Sequence, residues 1–115
     1  SQLDAVAARP YKVYTALLSQ TGTNAPIATV LENTLGASIT WTRTGVGQYV
    51  GTLSSGAFTS NKSFNTINNG QGGAMGFFIV GSSGSTTKTI YTYNASNIQT
   101  DSLLTTACVE IRVYP

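Results

Sequence analysis

From Tyr11 onward the apolar residues of the chain recur at every second position, the period of a β-strand with one buried face. The clearest case is Ala107–Tyr114, where Val109, Ile111 and Val113 alternate with Glu110, Arg112 and Tyr114. Ser38–Arg43 alternates Ile39 and Trp41 with Thr40 and Thr42, and Thr89–Asn94 sets Ile90 and Thr92 against Tyr91 and Tyr93. Tyr11–Ser19, Ile27–Thr34, Gln48–Leu53 and Lys62–Ile67 complete the half-buried candidates. Met75–Val80 differs, being an almost unbroken apolar run, and reads as a strand buried on both sides. Turn signals separate these runs: Gly22, Asn24 and Pro26, then Gly36, the pair Gly45 and Gly47, Gly56, and the stretch Gly81–Thr87. About eight short strands at this spacing predict an all-β fold, an antiparallel β-sandwich of jelly-roll-like or immunoglobulin-like type.

Residues 1–10 follow another pattern. Leu3, Val6 and Ala7 have helical spacing and Pro10 would end a helix, so a short N-terminal helix, or the remnant of a stalk or linker, is expected there. Residues 11–115 then form one β-sandwich domain. The segment has no basic start or apolar centre, so it does not read as a signal peptide, and no apolar run approaches the length of a membrane helix. With Ser in first place, the chain is expected to be a processed product or a piece of a longer protein.

Charge narrows the chemistry. Of 115 residues only six are cationic and four acidic, and there is no His. Triads and dyads built on imidazole are therefore excluded, and one Cys cannot make a zinc site or an intrachain disulfide. Cys108 is expected to be a packed thiol. The cations Arg9, Lys12, Arg43, Lys62, Lys88 and Arg112 are scattered, which argues against a nucleic-acid surface. A non-enzymatic protein is expected, with no catalytic residue, metal or cofactor.

The stretch Tyr11–Pro26 with Ala28–Asn33, and the stretch Trp41–Leu53, resemble small β-rich C-terminal domains of tailed-phage and other virus structural proteins. That resemblance implies a fibre, spike or capsid-decoration module at the virion surface, hence extracellular. It implies a homotrimer behind a stalk, contacting a host-surface glycan or protein. It transfers no catalytic residue.

Four residues stand out as ligand or interface candidates: Tyr91, Tyr93, Asn94 and Asn97. Aromatic rings stack on sugar faces and amides bond hydroxyls, so a monomeric carbohydrate-binding module is the alternative function; a subunit interface would use the same tyrosines. Trp41 shares a face with Ile39 and is expected in the core. Glu32 and Asp101 are the one conceivable carboxylate pair of a glycoside hydrolase, a remote alternative to surface charges. The loops Gly70–Gly76 and Gly81–Ser85 fit no phosphate-binding pattern and read as hairpin loops.

Overall fold

The computed structural model of the chain describes residues 9–68 and 76–115. Each expected run becomes a strand: β1 (Lys12–Ser19), β2 (Ile27–Asn33), β3 (Ile39–Gly45), β4 (Gln48–Leu53), β5 (Ser63–Asn68), β6 (Gly76–Ser82), β7 (Thr87–Asn94) and β8 (Ala107–Val113). They form two four-stranded antiparallel sheets, A in the order β2-β1-β8-β5 and B in the order β3-β4-β7-β6. The first and last strands lie side by side in the middle of sheet A. This departs from the constant-type immunoglobulin order, which leaves the first strand at an edge. Of the N-terminal segment only Arg9 and Pro10 are described, and neither is helical; the expected helix or linker otherwise falls outside the described residues.

The period-two pattern closes the core. Register pairs Tyr14 with Ile111, Ala16 with Val109 and Leu18 with Ala107, and all six are buried on the inner face of sheet A. Sheet B meets them with Trp41, Tyr49 and Ile90. Trp41 is 5 % exposed, as its shared face with Ile39 predicts. Opposite it on β4 is Gly51, where a Cβ would stand 2.8 Å from the indole ring carbons; the missing side chain is the space the indole fills.

Two expectations fail. The apolar run Met75–Val80 predicts a strand covered on both sides, but its described part, within β6, is the edge of sheet B and among the described residues pairs only with β7. Phe78 and Val80 turn inward, while Phe77 and Ile79 point outward, 59 % and 52 % exposed. An apolar run in an antiparallel sheet carries no guarantee of a second layer. Cys108 is exposed, not packed. It shares the outer face of β8 with Glu110 and Arg112, as the alternation of that strand requires, and pairs with Leu17 and Asn68.

Candidate functional site

The outer face of sheet B is built by register. Tyr93 lies beside Phe77, and Tyr91 between Gln48 and Ile79. The next rows are Thr42, Val50, Thr89 and Gly81, then Thr40, Thr52 and Thr87. None of these side chains is charged. The charged residues that face outward from the strands, Glu32, Glu110 and Arg112, belong to sheet A. Tyr91 and Tyr93 are half-buried, as their opposition to Ile90 and Thr92 predicts, and they merge with Phe77 and Ile79 into one aromatic and aliphatic surface. A shallow groove of about 1020 Å³ runs along this edge, lined by Phe77, Ile79, Tyr93, Asn68 and Asn97 among others.

Of the four candidates, Tyr91 and Tyr93 share this face, and Asn97 joins Tyr93 at the groove. Asn94 is engaged elsewhere. It shares the inner face of β7 with Thr92, and its Oδ1 accepts the N–H groups of Ser96 and Ile98, so its side chain organises the turn after β7. Asn97 holds a left-handed backbone (φ 62°) in that turn, a conformation that asparagine tolerates well, and is exposed.

Asp101, which the sequence offers only as half of a carboxylate pair, anchors the loop between β7 and β8. Arg43 grips both of its oxygens, with Nη2 at 2.7 Å from Oδ2 and Nε at 3.2 Å from each. The Gly47 N–H reaches Oδ1 at 3.0 Å and the Tyr49 hydroxyl at 2.7 Å. Arg43, with the Gly47 and Tyr49 hydrogen bonds, outweighs partial burial and lowers the carboxyl to about 2. Burial, and behind it the Asp101 charge, pushes the Tyr49 phenol above its ordinary value. Tyr49 Oη also lies 2.8 Å from Gln20 Oε1, which accepts the Ser102 N–H as well. Gly47 makes this junction feasible: its φ is +64°, and a Cβ would sit 2.6 Å from the Thr92 carbonyl oxygen. With every oxygen of Asp101 occupied, the cluster is a clasp between the β3–β4 turn and the β7–β8 loop.

Glu32 is engaged separately, by Arg9, whose hydrogen bond holds its carboxyl below the ordinary range. Glu32 and Asp101 share no partner among the described residues.

Lys88 was one of the scattered cations in the sequence, yet it is wholly buried. Its place two residues before Ile90 puts it on the inner face of β7, a signal that the alternation contained. Of the Gly81–Ser85 stretch, Ser83–Ser85 lie in the β6–β7 connection, as expected, but Gly81 and Ser82 are the last residues of β6; Asn69–Met75 lies outside the described residues. Among the described residues no group of His, Cys, Asp or Glu could hold a metal. Compared with protein-family models, curated proteins and solved structures, the chain matches none.

Proposed function

We propose that the chain is a non-enzymatic interaction domain that assembles with copies of itself through the outer face of sheet B. One observation carries this reading: Phe77 and Ile79 stand more than half exposed on an edge strand, flush with Tyr91 and Tyr93, on a face without charge. Apolar surface gathered into one patch costs free energy in water, and its burial contributes about 25 cal/mol per Å². A second copy suits this face better than a charged partner, because like meets like with no charge to desolvate or repel. Among the described residues sheet B also ends at β6, an edge on which a neighbour could continue the sheet. A homotrimer at a virion surface, as the sequence resemblance implies, is the assembly we favour. The double variant Phe77→Ser, Ile79→Ser tests the surface: sedimentation should turn an oligomer into a folded monomer. An oligomer unchanged by both substitutions would remove the face from the account.

A second reading has its own support. The groove beside Phe77 brings Tyr93 together with the amides of Asn68 and Asn97, a ring with hydrogen-bonding partners that suits a sugar. Screening against a glycan panel tests it: binding lost in Tyr93→Ala would favour a monomeric carbohydrate-binding module, and no binding would dismiss it.

A further inference from the structure

The geometry points to a second binding site, for an oxyanion carried on a small polar molecule such as an acidic sugar, in the pocket above Ser63, Ser82 and Lys88. It lies at the other end of the β6–β7 pair from Phe77 and Tyr93, since Gly76 faces Asn94 at one end and Ser82 faces Lys88 at the other.

Charge balance comes first. The chain has four carboxylates, of which Glu32, Asp101 and Glu110 are described, and each of these is paired with an arginine. That leaves Lys88, 0 % exposed, with no carboxylate among the described residues. A buried ammonium without a counter-charge is costly, and burial accordingly lowers its pKa. The structure offsets that cost with neutral groups. Nζ donates to Ser63 Oγ and to Ser82 Oγ, each at 2.6 Å, and stands 4.2 Å from the centre of the Phe58 ring. Two hydroxyls and a π face take up the three N–H directions.

The consequence concerns the serines. A hydroxyl whose oxygen accepts from a cation must turn its own proton elsewhere, and it becomes a stronger donor for being polarised. Neither Ser63 nor Ser82 donates to an acceptor among the described residues. Both line an open pocket of about 480 Å³, together with Thr59, Ser60, Asn61 and Ser85, a volume within the range of small-molecule sites. The Phe58 N–H donates to the Ser85 carbonyl at 2.6 Å and ties the two walls of the pocket together. Two polarised hydroxyl donors backed by an unneutralised cation fit the oxygens of a carboxylate or sulfate. The surrounding hydroxyls and the amide fit a polyhydroxylated body.

Calorimetric titration of the full chain with glucuronate, inorganic sulfate and glucose, followed by amide chemical shifts, tests the site. Both anions, or glucuronate alone, should bind, and glucose should not, with shifts centred on Ser63, Ser82 and Lys88. Glucuronate alone identifies an acidic sugar, and sulfate binding as well identifies a general oxyanion site. Ser82→Ala should weaken binding about tenfold or more, the loss of one charge-assisted hydrogen bond. Ile27→Thr, on the exposed edge of sheet A, should leave binding unchanged. Lys88→Met removes the cation at some risk to folding, so Ser63→Ala serves as the second variant. Failure of both anions to bind, equal binding of glucose, or wild-type affinity in both serine variants would overturn the site.

Discussion

Trp41 donates its indole N–H to the hydroxyl of Tyr14 at 3.1 Å, a polar contact between β3 of one sheet and β1 of the other, inside the core. Burial raises the pKa of Tyr14, with the hydrogen bond from Trp41 working against that shift, so the phenol stays neutral. Trp41→Phe shrinks a ring packed against Gly51 and leaves the Tyr14 hydroxyl without its donor. It should cost about 2–4 kcal/mol of folding free energy, and Tyr14→Phe about 1–3 kcal/mol. A double-mutant cycle by urea denaturation should return a coupling of roughly 1 kcal/mol; strict additivity would show that the contact contributes nothing.

The Arg43–Asp101 clasp predicts an acid transition. Asp101 titrates at about 2 in the folded chain and near 3.9 when unfolded. Between those values the unfolded state binds a proton that the native state refuses, so acid favours unfolding. The stabilisation, about 2 kcal/mol, is complete above about pH 5 and lost as the pH falls toward 2. Asp101→Asn should lower stability at neutral pH and flatten most of this acid dependence. Urea midpoints measured from pH 2 to pH 7 check both. Between about pH 5 and 9, where no His titrates, stability should change little.

Gly47 and Gly36 both have positive φ, yet they should respond differently to alanine. At Gly47 a Cβ meets the Thr92 oxygen at 2.6 Å and the Thr100 nitrogen at 2.8 Å, backbone atoms that cannot swing away. At Gly36 nothing lies within 4 Å. Gly36→Ala should cost about 1 kcal/mol, the left-handed backbone alone. Gly47→Ala should exceed that by about 2 kcal/mol or more and loosen the loop that carries Asp101. Equal losses at the two positions in thermal unfolding would contradict the crowding at Gly47.

The strands were legible because alternation is a local signal. Val109, Ile111 and Val113 declare the inner face of β8 without reference to any other strand. The same rule assigns Cys108 to the outer face, and only the habit of cysteine to pack obscured it. What alternation cannot supply is the partner of each face. Phe77 and Ile79 read as buried because the run is apolar, but burial depends on whether another layer covers the edge. The Asp101 clasp joins Gln20, Arg43, Gly47, Tyr49, Asp101 and Ser102, residues up to 82 positions apart, as in the Ser102–Gln20 bond. No spacing rule links them. Tyr91 and Tyr93 were readable as a surface, whereas Asn94 was not readable as a turn cap, because its role depends on how the chain bends after β7.

Self-association through sheet B is the claim on which the functional reading rests, and solution mass tests it most directly. Light scattering coupled to size-exclusion chromatography should give a multiple of 12.0 kDa, three-fold for the assembly proposed. The Phe77→Ser, Ile79→Ser variant should fall to a single 12.0 kDa chain. A wild-type mass of 12.0 kDa at every concentration tested would contradict the account.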